Sequence, residues 1–356
     1  MRRIRVLVVD DSPFVCRLVS GYFSAEPDME VIGNAHSGRE AIDKTRTLRP
    51  DVVTLDLEMP GTGGLAALES IMQECPTPVV ALSGVSGGAA RQTLQALELG
   101  AVDFVLKFTP GVRLSPEQIR REVIAKVRSA AHTRVVRLRR RQELPGLATA
   151  SRPIERAPAL AATLADGTTG LVIIGASTGG PLAVRDLVTQ LPANFRYCVI
   201  IVQHMPAGFT SVLATQLDNC CALPVREAKE GDPLRAAQVY VAPGGFHLEI
   251  TPRLTVGLRT GTESGGYCPS IDVAMESAAR VLGRRAKGIV MTGMGDDGSR
   301  GLKAIRDAGG ETFAQDIESC VIGSMPQNAV DRGAVGRSGA PKQLAGMIGA
   351  EVLIKD

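Results

Sequence analysis

Short, wholly apolar segments that each end at a polar residue recur through the first 110 residues and restrict the fold more than any other feature. The segments are IRVLVVD, DVVTLDL, PVVALSG and VDFVLK. A strand that is apolar on both faces has to be buried between two layers, which is typical of a parallel sheet covered by helices. Amphipathic segments separate the strands along the chain. The pattern predicts a doubly wound α/β domain.

A second series of apolar segments predicts a second α/β domain. Its strands are expected at LVIIGA, YCVIIVQ, QVYVAP, AKGIVMTGM and GGETFAQD. Strands again alternate with helical segments, which favours another parallel sheet. We therefore predict one domain over residues 1–125, a linker rich in Arg, Pro and Ala over 126–166, and a second domain over 167–356.

All of the net charge of +3, and more, lies in one short segment that includes most of the predicted linker. Residues 111–158 hold 12 basic and 4 acidic residues, whereas residues 1–110 hold 10 and 14, and residues 159–356 hold 18 and 19. A polyanion-binding patch is one interpretation of this segment, and a solvated linker is the interpretation that we favour. Trp is absent, so stacking platforms for single-stranded nucleic acid are not expected.

Cysteine usage and hydropathy bear on the compartment. The seven cysteines form no C-x-x-C pair, which favours reduced thiols over a disulfide framework or a zinc site. Apolar runs stay well below the roughly 20 residues that a membrane-spanning helix needs. The amino terminus has two acidic residues directly after a short apolar run, unlike a signal peptide. We therefore expect a cytoplasmic protein that is not inserted in a membrane.

Polar side chains at the strand ends of the first domain form the first candidate site. Asp10 and Asp11 follow the first strand, Asp56 ends the second segment, Ser83 the third and Lys107 the fourth. In a parallel sheet these ends line one crevice, so the side chains are expected to converge. Carboxylate oxygens suit Mg²⁺, and a carboxylate beside a cation can attack phosphorus. The site is predicted to accept a phosphoryl group.

This pattern, over residues 4–125, resembles the receiver domain of two-component response regulators, which has a flavodoxin-like fold. The resemblance implies that Asp56 is the phosphoacceptor and that a histidine kinase is the partner. It also implies that the Mg²⁺ ligands are Asp10, Asp11 and Asp56. The positions that sense the phosphoryl group fall on Ser83, Phe104 and Lys107. The sequence departs from the family at Phe108, where Pro is usual after the lysine, and at GTGGL, where an Asp-Gly step is usual.

A strand, a glycine-rich turn and a helix start form the second candidate site. Ser177 lies at the centre of a G-x-S-x-G pattern, in which small residues permit a sharp bend that exposes a nucleophile. A glycine turn that binds a nucleotide phosphate is the alternative.

The polar residues that could assist Ser177 favour the hydrolase. Among four histidines, His204 directly follows the next apolar strand, and His247 is the weaker candidate. Asp296 and Asp297 follow another strand, and position alone does not choose between them. Serine, histidine and carboxylate together are typical of acyl transfer.

The second domain resembles the catalytic domain of the chemotaxis protein-glutamate methylesterases. The resemblance rests on the segments GASTGGP, QHMP, YVAPGGFHL, PSIDVAMESAA, MTGMGDDG and AQDIESCVIGSMPQNAV. It implies a Rossmann-like hydrolytic domain with a Ser177, His204 and Asp297 triad and no cofactor. It further implies a backbone oxyanion donor at Met294 and an orienting hydroxyl at Thr178.

The same resemblance implies a substrate and a mode of control. Glutamyl methyl esters on methyl-accepting chemoreceptors would be hydrolysed, receptor glutamines deamidated, and blockage of the triad relieved by phosphorylation of Asp56. Linker arginines would help to hold the receiver in place. Basic residues usual in the family are replaced by Cys268 and Gln327, which bears on docking of an acidic receptor helix. A nucleotide-binding enzyme and a DNA-binding regulator that uses the arginine-rich segment are the alternative functions.

Overall fold

The computed structural model describes residues 2–107, 115–133, 170–261 and 266–349. The chain divides into two compact units, residues 1–150 and 151–356. Phe108 lies outside the described residues, as does the predicted linker from residue 134 onward, including its arginine cluster. No helix in the described ranges has the length and hydropathy needed to cross a membrane.

The first unit contains a parallel sheet of five strands in the order β2-β1-β3-β4-β5. The strands are β1 (Ile4–Val9), β2 (Met29–Ala35), β3 (Val52–Asp56), β4 (Val79–Ser83) and β5 (Asp103–Leu106). The doubly wound sheet predicted from the sequence is confirmed, and all four predicted strands are present. The additional strand, β2, lies at the edge of the sheet, where its middle residues are only partly buried.

Among the described residues, five helices cover this sheet. They are α1 (Pro13–Ser24), α2 (Gly38–Leu48), α3 (Gly64–Glu74), α4 (Gly87–Glu98) and α5 (Pro116–Ala130). Four of them begin after a serine whose hydroxyl accepts a backbone N–H of the first turn, namely Ser12, Ser37, Ser86 and Ser115. The last helix extends five residues past the predicted domain boundary at residue 125.

The second unit contains a parallel sheet of seven strands in the order β14-β13-β12-β6-β7-β9-β8. Its strands are β6 (Leu171–Ala176), β7 (Cys198–Gln203), β8 (Val225–Glu227), β9 (Val239–Val241), β12 (Ala286–Val290), β13 (Glu311–Gln315) and β14 (Arg337–Gly339). An antiparallel hairpin joins β10 (Phe246–Ile250) to β11 (Val256–Thr260). Strand β6 is central, so loops after β6, β7 and β12 share one crevice.

In the part of the second unit that the structure describes, six helices pack around this sheet. They are α6 (Gly180–Val188), α7 (Phe209–Asp218), α8 (Ile271–Leu282), α9 (Ser299–Asp307), α10 (Ser324–Asp331) and α11 (Pro341–Gly349). Every residue of β6, β7 and β12 is buried, as expected for central strands covered on both faces. The strands therefore fix the positions of the loops that follow them.

Candidate functional site

Sheet register places Ser177 and His204 side by side. They directly follow Ala176 and Gln203, which are paired residues of β6 and β7. The His204 backbone N–H donates to the Ala176 carbonyl at 3.0 Å. The Gln203 side-chain amide donates to the carbonyls of Ser177 and His204, at 2.9 and 3.2 Å. Strand pairing and one buried amide thus hold the nucleophile candidate beside the base candidate.

The imidazole of His204 is bound to Asp297 through Nε2. The distance from His204 Nε2 to Asp297 Oδ2 is 2.8 Å, and both side chains are 8% exposed. His204 Nδ1 is buried and has no hydrogen-bond partner within the described ranges. When Nε2 carries the ring proton and donates a hydrogen bond to Asp297, Nδ1 is the nitrogen that can accept a proton.

Asp297 is fixed by the amino end of α8 as well as by His204. Its carboxylate accepts hydrogen bonds from the Ser270 hydroxyl at 3.0 Å and from the backbone N–H groups of Ile271 and Asp272 at 2.8 and 3.0 Å. Burial raises the pKa of Asp297, but these backbone donors and His204 outweigh burial and lower the pKa below its ordinary value. The group is therefore a carboxylate at neutral pH.

Asp296 and His247, the other candidates, lie differently. Asp296 has an exposed side chain, whereas its neighbour Asp297 is buried. His247 lies on β10, and burial together with the nearby Arg259 lowers its pKa. Its Nδ1 has no hydrogen-bond partner among the described residues. The structure thus joins His204 to the second acid of the GMGDDG loop.

The glycine loop after β12 passes close to Ser177. A Cβ atom at Gly293 would lie 2.6 Å from Ser177 Cβ and 2.2 Å from Met325 Sδ, so only glycine permits this approach. The Ser177 backbone N–H donates to the Thr292 carbonyl at 3.0 Å. Met294, the predicted oxyanion donor, is the next residue of the loop.

Helix α10 supports the same loop, a role that the sequence did not reveal. The Ser324 hydroxyl donates to the Gly293 carbonyl at 3.0 Å and accepts the Gly295 N–H at 3.1 Å. The Asn328 amide donates to the Gly295 carbonyl at 2.8 Å. Both side chains belong to the SMPQNA segment that carried part of the family resemblance. Their contacts fix the loop next to the nucleophile.

Two further side chains adjoin this site. Thr178, the predicted orienting residue, is buried, and its carbonyl accepts the Thr292 hydroxyl at 3.0 Å. No sequence motif predicted a role for Tyr267. Its ring stacks on His204 with the centroids 4.0 Å apart, and its hydroxyl donates to the Met294 carbonyl at 3.3 Å.

The predicted phosphoryl-accepting residues converge in the first unit. Lys107 Nζ lies 2.8 Å from Asp10 Oδ2 and 2.7 Å from Asp56 Oδ2. Carboxylate oxygens of Asp10, Asp11 and Asp56 all lie within 4.8 Å of one another. Asp10 and Asp56 are buried and Asp11 is exposed. This set of oxygen ligands, open at one side, fits a divalent cation that keeps some of its water.

The charges of this cluster depend on one another. Burial raises the pKa of Asp10, although Lys107 acts in the opposite direction. Burial by itself would lower the pKa of Lys107, but the hydrogen bonds to Asp10 and Asp56 raise it above its ordinary value. The amine therefore stays charged and partly neutralises the two buried carboxylates.

Ser83 and Phe104, the other predicted sensing residues, are both buried. The Ser83 hydroxyl lies 2.6 Å from the Thr93 hydroxyl and donates to the Gly84 carbonyl at 3.1 Å. The Phe104 carbonyl accepts a hydrogen bond of 2.6 Å from Lys126, whose Nζ lies 5.1 Å from the Phe104 ring centroid. Helices α4 and α5 thus contact the two sensing positions.

Two protein families match the chain, one in each unit. Residues 172–348 match the CheB methylesterase family, and residues 6–115 match the response regulator receiver domain. A protein-glutamate methylesterase/protein-glutamine glutaminase of Symbiobacterium thermophilum is 43% identical over 339 residues, which cover 94% of this chain and 92% of that protein. Another, of Pseudomonas putida, is 41% identical and covers 92% of this chain and 93% of its own.

A crystal structure of the Thermotoga maritima CheB methylesterase catalytic domain is 33% identical, covers 51% of this chain and 97% of that chain, and has a TM-score of 0.49. The two family matches show that the chain is a response regulator in which a receiver precedes a hydrolase unit. It belongs to the CheB family of protein-glutamate methylesterases/protein-glutamine glutaminases.

Proposed function

We propose that this chain hydrolyses glutamyl methyl esters on methyl-accepting chemoreceptors, and deamidates their glutamines, under the control of phosphorylation at Asp56. The hydrogen bond of 2.8 Å between His204 and Asp297, beside Ser177, is the observation that carries the proposal. The proposed division is a receiver over residues 1–125, a linker over 126–166 and a catalytic domain over 167–356, acting in the cytoplasm.

In the proposed mechanism, Asp297 keeps the proton of His204 on Nε2 and stabilises the imidazolium that forms during the reaction. His204 Nδ1 takes the Ser177 hydroxyl proton as Ser177 Oγ attacks the ester carbonyl. The Met294 backbone N–H holds the oxyanion, and Thr178 orients the histidine. Methanol leaves with the proton from Nδ1, and water then cleaves the acyl-enzyme. Ammonia replaces methanol in deamidation.

In the proposed control, a histidine kinase supplies the phosphoryl group that Asp56 accepts. Asp10, Asp11 and Asp56 would hold Mg²⁺, which supplies positive charge against the phosphoryl oxygens. Lys107 and Ser83 would contact the phosphoryl group, and Phe104 would respond to it. Phosphorylation would then shift a population of blocked catalytic sites towards accessible ones.

Methanol release from methylated chemoreceptor membranes tests the proposal, with and without a small phosphodonor and Mg²⁺. We expect release by the wild type, none by Ser177→Ala, and no response to the phosphodonor in Asp56→Asn. Activity retained in Ser177→Ala would reject the triad. An equal wild-type rate with and without phosphodonor would reject control by the receiver. Salt-dependent DNA binding or nucleotide binding at Ser177, without methanol release, would favour the alternative functions.

A further inference from the structure

We propose that Tyr267 is a positioning residue for the reaction, fixing the plane of the His204 imidazole and stabilising the cation that forms when the imidazole accepts the Ser177 proton. The inference rests on the proposed function for its kinetic consequences. It stands on the contacts between Tyr267, His204 and the glycine loop.

The geometry of the Tyr267 and His204 ring pair restrains the imidazole. The two rings are stacked at an angle of 5° with centroids 4.0 Å apart. Asp297 holds the imidazole only at its Nε2 edge, and one hydrogen bond leaves rotation about that direction free. Contact with a flat ring restricts this rotation. Because Tyr267 is 40% exposed, it is not a core side chain that merely happens to touch the histidine.

Tyr267 is also linked to the predicted oxyanion loop. The Tyr267 hydroxyl donates to the Met294 carbonyl at 3.3 Å. A Cβ atom at Gly295, where φ is +101°, would lie 2.7 Å from the same hydroxyl oxygen. The side chain therefore spans from the base to the loop, so both are held by one ring.

The Tyr267 ring also acts electrostatically on His204. The imidazole becomes a cation when it accepts the Ser177 proton, and the face of an aromatic ring attracts a cation within about 6 Å of its centroid. Asp297 acts from the edge of the imidazole and Tyr267 from its face, so the two contacts are independent. The ring face, more than the hydroxyl, is expected to matter for the rate.

Kinetics of three variants test the proposal, with methanol release from methylated receptors as the assay. We expect Tyr267→Leu to lower kcat about 10- to 30-fold, as a cation–ring contact of this kind predicts, with KM changed less than about 3-fold. Tyr267→Phe keeps the ring and should stay within about 3-fold of wild type. Tyr197→Leu is the matched control, because Tyr197 directly precedes β7 and so lies at the amino ends of the strands, opposite the crevice. The kcat of this variant should not change.

Proton NMR of the full-length chain adds a readout that needs no substrate. The His204 Nε2 proton, bound to Asp297, should give a downfield resonance in the wild type and Tyr267→Phe, and a broadened one in Tyr267→Leu. Equal kcat and equal resonances in all variants would overturn the proposal. A wild type that releases no more methanol than Ser177→Ala would instead reject the proposed function, and the resonances would still decide the role of Tyr267.

Discussion

Asp297 caps the start of α8, where Asp272 lies, and Asp272 caps the start of α9, which follows Asp297. Asp297, which lies just before α9, accepts the N–H groups of Ile271 and Asp272 at the start of α8. Asp272, in the first turn of α8, accepts the N–H groups of Gly298 and Gly301 at 2.9 and 2.7 Å, at the start of α9. Helix starts have unpaired N–H groups and favour negative charge. The exchange therefore holds the carboxylate that binds His204.

Replacing Asp272 should loosen this arrangement. Asp272→Ala leaves the buried Gly301 N–H without its acceptor and removes one of the two acceptors of the Gly298 N–H, the other being Asp297, so we expect a loss of about 1–3 kcal/mol in the free energy of unfolding and a lower kcat. Denaturant unfolding and methanol release measure the two effects. Glu276→Ala is the control, since Glu276 forms a partly exposed ion pair of 3.6 Å with Arg300. A loss below about 1 kcal/mol is expected there, and equal effects at both sites would contradict the prediction.

Gly293→Ala should disable the catalytic site. The new methyl group would meet Ser177 and Met325, so the loop or the serine has to move. A displacement of about 1 Å lowers catalysis about 100-fold, and overpacking costs about 1–3 kcal/mol of stability. Gly346→Ala, within α11, meets no atom within 4 Å and should keep full activity. Wild-type kcat in Gly293→Ala would show that the loop does not approach the nucleophile.

Lys107→Gln should destabilise the first unit in a way that Mg²⁺ partly reverses. It removes the cation shared by the buried Asp10 and Asp56, and loss of one partner of a buried ion pair costs about 3 kcal/mol. A divalent cation at the carboxylates replaces some of that charge. Thermal unfolding with and without Mg²⁺ measures the effect, with Lys44→Gln, from an exposed pair with Glu40, as the control. Equal Mg²⁺ stabilisation in both variants would contradict the prediction.

Asp232 should contribute stability that disappears in acid. Burial raises the pKa of Asp232, but hydrogen bonds from Arg226 at 2.6 Å and from the Lys229 N–H at 2.7 Å lower it below its ordinary value. A depressed pKa in the folded state means stability that is present above about pH 4 and lost as pH falls through the folded pKa.

The measurement compares unfolding of Asp232→Asn and wild type at neutral and acidic pH. We expect the variant to be less stable at pH 7 and the difference to shrink below about pH 4. Asp307→Asn, from an exposed pair with Lys303, should differ little from wild type at either pH. A difference for Asp232→Asn that is independent of pH would reject the electrostatic explanation.

Strands were predictable where burial on both faces gave continuous apolar runs, as in β1, β3, β6, β7 and β12. The hairpin strand β11 was not predicted from the sequence. Within the two parallel sheets, the strands that the sequence did not reveal are β2, β8 and β14, and they lie at the edges. Edge strands are only partly covered, and their composition then resembles that of loops. Tertiary packing decided their conformation.

The sequence by itself determined which residues reach the two crevices. Functional side chains lie at the carboxyl ends of parallel strands, and the apolar runs before Asp56, Ser177 and His204 locate those ends from the sequence alone. The family resemblance favoured Asp297 over Asp296 as the partner of His204. Only the tertiary structure decided that the two are joined through Nε2 and that Tyr267 covers the ring. These contacts join loops far apart in the chain, and their geometry depends on packing between helices that local sequence patterns do not encode.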